Sequence, residues 1–93
     1  MTIKRIFKYP LEMTSYQTLL LPAGAQILCV QTQRETPCLW ALVNPAEPAE
    51  RRMFYVHGTG MPIIPREADR YIGTFQLQGG ALVFHVFEAG ANN

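Results

Sequence analysis

The sequence predicts an all-β fold: a single small antiparallel β-sandwich or barrel of six or seven strands. Three observations carry that prediction. Seven short segments rich in β-branched, aromatic and aliphatic residues are separated by Gly, Pro, Asn and Asp. None of them sustains a 3.6-residue apolar period. The chain has 93 residues, 48% hydrophobic and only 16% charged, which suits one core and argues against disorder or a heavily solvated helical bundle.

The first segment, Ile3 to Tyr9, alternates Ile3, Arg5, Phe7 and Tyr9 against Lys4, Ile6 and Lys8, and ends at Pro10. Its mixed charges suit a sheet edge. Tyr16 to Leu21 follows and is stopped by Pro22-Ala23-Gly24, a fixed φ next to a permissive one. Gln26 to Thr32 then runs antiparallel to it. After Pro37, the run Cys38 to Val43 is apolar on both pleat faces, as a strand covered on both sides would be. Asn44 to Arg51 reads as an exposed connection, with room for one helical turn at Ala49 to Arg52. Met53 to His57 resumes the alternation. Gly58 to Arg70 is long for a hairpin loop, and Gly58, Gly60, Pro62 and Pro65 keep it irregular; such loops often carry function.

Tyr71 to Gln78 and Ala81 to Glu88 flank Gly79-Gly80, a pair suited to the positive φ of a primed turn. Counting outward sets Leu77 opposite Leu82, Phe75 opposite Phe84 and Thr74 opposite His85. Phe75, Leu77, Leu82, Phe84 and Val86 then face the core. The reverse face carries Ile72, Thr74, Gln76, Val83, His85 and Phe87. It is too polar for an interior and too apolar for free solvent, so a partner, a ligand or another copy of the chain is expected to cover it. Residues 1–93 form one domain, with Gly90 to Asn93 a frayed tail.

The charge balance is eight Lys plus Arg against seven Asp plus Glu, a net +1. No global field recruits polymeric nucleic acid or an anionic membrane. Lys4, Arg5 and Lys8 ahead of Leu19-Leu20-Leu21 mimic a secretion signal, but Glu12, Thr14, Ser15, Gln17 and Thr18 interrupt the apolar stretch. No run approaches the ~18 apolar residues of a membrane span. A four-residue connection puts Cys29 opposite Trp40 and Cys38 opposite Gln31, a poor disulfide geometry, and two thiols with two separated histidines give no zinc spacing. Both cysteines read as small buried hydrophobes in a reducing compartment, the cytoplasm. No metal or other cofactor is called for.

For nucleophilic catalysis the chain offers Ser15, Cys29 or Cys38 with His57 or His85. Ser15 lacks an elbow motif and the cysteines sit in apolar strands, so no catalytic residue is assigned. Six acids, Glu12, Glu35, Glu47, Glu50, Glu67 and Asp69, fall in turns and loops where solvation is the ordinary role. His57-Gly58-Thr59-Gly60 could present backbone N–H groups to an anion, although it lacks a P-loop's lysine and helix. Six of the eight basic residues are arginines, whose planar fork suits phosphate. If consecutive strands alternate direction, Arg34, Arg66 and Arg70 gather with the His57 loop, and Arg51 and Arg52 lie at the opposite end. Tyr9, Tyr16, Tyr55 and Tyr71 offer ring faces for stacking, whereas Trp40 suits the core.

The strings Phe7-Lys8-Tyr9-Pro10-Leu11, Leu21-Pro22-Ala23-Gly24-Ala25, Pro37 to Val43, Gly58-Thr59-Gly60, Tyr71 to Gln76 and Leu82 to Phe87 resemble a family of short all-β proteins encoded by phages and prophages. The resemblance implies a fold rather than a chemistry, and a small cytoplasmic protein made during infection. Some compact phage proteins sequester the nucleotide messengers of bacterial immunity. By that analogy the expectation is a non-catalytic, homo-oligomeric sponge for a small anionic, nucleotide-like ligand. Its binding residues would be His57, Gly58, Thr59, Gly60, Arg51, Arg66, Arg70 and Tyr71, and its subunit contact the face with Thr74, Gln76, His85 and Phe87. The alternative is a protein-interaction module that blocks a host enzyme or acts in virion assembly.

Overall fold

A computed structural model of the chain describes residues 2–90. Seven strands form: β1 (Arg5–Pro10), β2 (Gln17–Pro22), β3 (Gln26–Gln33), β4 (Thr36–Val43), β5 (Ala49–Gly58), β6 (Arg70–Leu77) and β7 (Leu82–Glu88). They make a three-stranded sheet, β1-β4-β3, and a four-stranded sheet, β2-β5-β7-β6, antiparallel at every pairing. Leu39, Ala41 and Val43 of the first sheet meet Leu21, Phe54, Phe75 and Val86 of the second in one shared core. The smallest extent of the molecule is 17 Å, as two stacked layers require. The two sheets share one core and do not close into a barrel.

Local sequence explains most pairings. β1 is an edge strand beside β4, and Pro10, with no N–H to give, ends it. β3 and β4 are joined by the two residues Arg34 and Glu35, both at positive φ (51° and 65°), which sets Cys29 opposite Trp40 and Gln31 opposite Cys38 as counted. Both cysteines are free thiols. Gly79 and Gly80, at φ 65° and 98°, form the primed turn of the β6–β7 hairpin, and the Ala81 N–H closes it on the Gln78 carbonyl.

Several expectations need correction. Ala49 to Arg52 is strand rather than a helical turn, so β5 begins four residues earlier than the alternation indicated. β2 and β3 are not bonded to each other; they lie in different sheets, and β2 pairs with β5. Trp40 and Cys29 are only half-buried, because their shared face of β4 and β3 points away from the second sheet. Leu82 faces the core side but is 39% exposed, because the hairpin overhangs the core at its turn. Ile72 is the extra residue of a β-bulge between Tyr71 and Gly73. The bulge turns Ile72 inward against the core and carries Tyr71 onto the outer face, the reverse of a regular count.

The largest correction is topological. β7 lies between β5 and β6 and is antiparallel to both, so β5 and β6 run parallel and cannot be joined by a hairpin. The long segment after Gly58 is therefore a crossover that returns along the outer face of the four-stranded sheet.

An L-residue at positive φ carries a conformational cost of roughly 1 kcal/mol that asparagine largely escapes. Arg34→Asn should accordingly raise stability by up to about 1 kcal/mol, read as a higher urea midpoint at unchanged slope. A lowered midpoint would contradict this account of the β3–β4 turn.

Candidate functional site

The outer face of the four-stranded sheet follows from the two-residue period. On β5 it presents Arg51, Met53, Tyr55 and His57, while Phe54 and Val56 point inward. Pairing adds Phe87 and His85 of β7 and Tyr71 and Thr74 of β6. Aromatic rings line up across these strands. Tyr16 packs on Tyr55 at 4.9 Å, Tyr55 stacks nearly parallel on Phe87 at 5.1 Å, and Tyr71 meets Phe87 edge-on at 5.2 Å.

The crossover is tied down over this face at three places. Its entry turns sharply, with Gly60 at φ 85° and the Met61 N–H donating to the Gly58 carbonyl. His57 donates Nε2–H to the Pro62 carbonyl at 2.6 Å. At its far end the Asp69 carboxylate, only 3% exposed, accepts from the Tyr55 hydroxyl (2.8 Å), the Arg66 N–H (3.0 Å) and the Gly90 N–H (2.8 Å). The Arg66 guanidinium lies 3.7 Å from the same carboxylate and donates to the Gly90 carbonyl at 3.3 Å. Gly90 must be glycine here, since a Cβ would stand 2.3 Å from the Ala68 Cβ. Of the tail expected to fray, Gly90 is thus held; residues 91–93 lie outside the described residues.

Beside this latch sits a polar network around His85. Thr59 Oγ1 lies 3.1 Å from the Val83 carbonyl and 2.7 Å from His85 Nε2. A carbonyl only accepts, so the Thr59 hydroxyl donates to it and receives the His85 Nε2–H. His85 Nδ1 is then the acceptor, with Tyr71 at 3.1 Å and Thr74 at 3.0 Å; each hydroxyl has one proton, so one donates to Nδ1 and the other to its neighbouring hydroxyl. Thr59 beside His85 is therefore not a nucleophile facing a base, because the imidazole nitrogen nearest the hydroxyl already carries a proton.

The eight residues singled out from sequence separate into four groups. Arg51, Arg66 and Arg70 come together with Arg52 at the end where β5 and β6 begin. There, two adjoining clefts of about 280 and 260 Å³ share Arg52, Glu88, Ala89 and Gly90. The expectation that Arg66 and Arg70 join the His57 loop fails because the crossover carries them back along the strand. Arg51 and His57 are six residues apart on β5, roughly 20 Å. His57 lines a separate pocket. Gly58, Thr59 and Gly60 form the crossover's first turn, with the Thr59 N–H donating to the Val83 carbonyl and the Met61 N–H likewise engaged within the chain. Tyr71 belongs to the His85 network. Arg34, at the far β3–β4 turn, lines a cleft with Lys8 and Gln33.

Sequence reasoning missed two groups. Asp69, read as a solvated loop acid, is the crossover's anchor, and its spacing of three from Arg66 was the one available signal. Arg52 and Glu88 form a bidentate pair (2.6 and 2.9 Å), and Arg52 also donates to the Ala25 carbonyl at 2.5 Å. That pairing needs β5 beside β7, which no local pattern revealed. Among the described residues no three His, Cys, Asp or Glu side chains gather to hold a metal ion, and no helix is long and apolar enough to cross a membrane.

Fold and site together define a class: a seven-stranded, two-sheet β protein with an aromatic outer face under a latched crossover and a cluster of arginines at one end. The chain matches the domain of unknown function DUF7352 over residues 2–93 and belongs to that family. No curated protein and no solved structure matches it.

The latch has a pH signature. Hydrogen bonds from the Gly90 and then the Arg66 N–H hold the Asp69 carboxyl below its ordinary 3.8. A depressed acid contributes stability above its unfolded value and loses it as pH falls through the folded one. Burial, and then the bond to Asp69, push the Tyr55 hydroxyl up to about 12. Its contribution is full below 10.0 and lost as pH rises through about 12. Urea midpoints of Asp69→Asn should therefore fall less steeply than wild type below pH 3.8, and those of Tyr55→Phe less steeply above pH 10.0. If both variants keep the wild-type pH profile, the latch is not coupled to folding. Gly90→Ala should displace the end of the crossover and speed hydrogen exchange at the Arg66 and Gly90 amides by about tenfold or more. Unchanged exchange would mean that the close approach to Ala68 relaxes freely.

Proposed function

We propose that this protein is a non-catalytic binder of a small anionic ligand of nucleotide type, holding the anionic group among Arg51, Arg66 and Arg70. The observation that carries the reading is the gathering of those arginines around two adjoining clefts in a chain whose net charge is only +1. Guanidinium groups are the side chains best matched to phosphate oxygens, through paired, charge-assisted hydrogen bonds. Arg52 is neutralised by Glu88 and makes a rigid floor. Arg66 is oriented by Asp69 and the Gly90 carbonyl, while Arg51 and Arg70 are exposed at the rim. Holding without transforming fits the commitment of the Thr59 proton to Val83. Sequestration of a nucleotide immune signal, which some compact phage proteins carry out, is the use of such binding that we propose by analogy.

Isothermal titration against cyclic dinucleotides and ADP-ribose-type nucleotides tests this reading. It should give saturable heats for at least one of them, and the ligand should be recovered intact after the protein is denatured. The double variant Arg51→Ala, Arg70→Ala should weaken that binding by about 10- to 100-fold, the worth of one or two charge-assisted hydrogen bonds. Flat titrations across the panel, or an affinity indifferent to the double variant, would overturn the proposal.

A further inference from the structure

The arginine end leaves unused the pocket above the other half of the aromatic face. That pocket, of about 370 Å³, is lined by Ser15, Tyr16, Tyr55, Val56, His57, Pro62, Ile63 and Ile64. Its volume lies near the lower end of small-molecule sites, the size for a ring system rather than a peptide. None of its lining side chains is an acid, a lysine or an arginine, which suits it to a neutral occupant.

Three features point to a flat aromatic occupant. Tyr16 ends the row of rings that runs through Tyr55 to Phe87; it is 57% exposed, so its packing on Tyr55 leaves ring surface open for one more ring. The crossover supplies an apolar wall, Pro62-Ile63-Ile64, whose Ile64 stands 95% exposed although it belongs to the pocket lining. His57, in the same lining, gives Nε2–H to the Pro62 carbonyl, which leaves Nδ1 as an acceptor, and Ser15 adds a hydroxyl. Flat apolar faces with one acceptor and one hydroxyl at the edge are what a heteroaromatic ring bearing N–H and N or O groups requires.

We infer that this pocket is a nucleobase site, in which a neutral purine-like ring stacks against Tyr16 beneath the Pro62–Ile64 wall and donates an N–H to His57 Nδ1. The inference deepens the nucleotide reading and rests on it for the kind of ring. His57 and Arg51 lie on one pleat face of β5, roughly 20 Å apart, so a single ligand held at both ends of that face would be of dinucleotide length.

The test uses 2-aminopurine riboside, a fluorescent nucleoside without phosphate, added to the full chain. Stacking should quench its emission saturably. Tyr16→Ala should weaken binding by about tenfold, while Tyr16→Phe, which keeps the ring, should bind as wild type does. Arg51→Ala with Arg70→Ala should leave riboside binding unchanged. Absent quenching, or quenching indifferent to Tyr16→Ala, would overturn the base site even if nucleotides bind at the arginines. Riboside binding by a chain that no nucleotide binds more tightly would instead sustain the base site and sink the anion reading. Tyr16→Phe keeps the ring packed on Tyr55 and should melt like wild type, and titrating Tyr16→Ala well below its own melting temperature separates lost stacking from lost folding.

Discussion

The Asp69 carboxylate is where the separate parts of this molecule meet. It takes hydrogen bonds from a side chain of β5, from the backbone of the crossover and from the backbone beyond β7, and it sets the Arg66 guanidinium at the arginine end. A carboxylate removed from water in this way is tolerable only because its acceptor positions are filled. Its three donors come from segments far apart in sequence. The crossover's seat, the burial of Tyr55 and the ordering of Gly90 are thus different views of one set of bonds.

From that anchor the outer face divides by chemistry. Toward the start of β5 the outer face carries Arg51, while the Arg52–Glu88 pair lies on the opposite pleat and Arg70 is exposed at the sheet's end. Toward its end lie rings, a histidine with a defined tautomer and an apolar stretch of crossover. The polar groups that made the last hairpin look open to a partner, Thr74 and His85, are satisfied by Tyr71 and Thr59 of the same chain. The apolar character of the opposite sheet is less covered. Ile6, 60% exposed, shares the outward face of that sheet with Trp40 and Leu42.

What the sequence made legible was whatever a two-residue period and a tight turn can determine. The edge position of β1, the Cys29–Trp40 register and the pairing of Phe75 with Phe84 all follow from counting outward from short connections. A count fails at the first irregularity, and the bulge at Ile72 exchanged the faces of Ile72 and Tyr71. Which strands are neighbours is a non-local matter. β5 pairs with β2 and β7, not with the strand that follows it, and that one relation moved Arg66 and Arg70 to the other end of the site. Trp40 was misjudged for a related reason: an apolar strand covered on one side reads the same as one covered on both. Asp69 was illegible because its partners, Tyr55 and Gly90, lie 14 and 21 residues away, on elements whose positions depend on the crossover itself.

The crossover also limits how this chain can vary. Residues 59–69, eleven in all, run from beside Phe84, the partner of Gly58, to beside Glu88, the partner of Arg70: four residues along β7 and two strand spacings across, roughly 16 Å in a straight line. Fully extended they reach about 36–40 Å, and the turn at Gly58–Met61, the passage over the outer face and the bend at Arg66–Asp69 take up the excess. An ordinary surface loop tolerates changes of length more readily than changes to a buried side chain. Here the order is reversed: a side chain such as Ile64 can be exchanged without disturbing the strands, whereas a deletion of three or four residues would cost the segment one of the contacts that seat it, the Gly58–Met61 turn, the His57–Pro62 bond or the Asp69 latch.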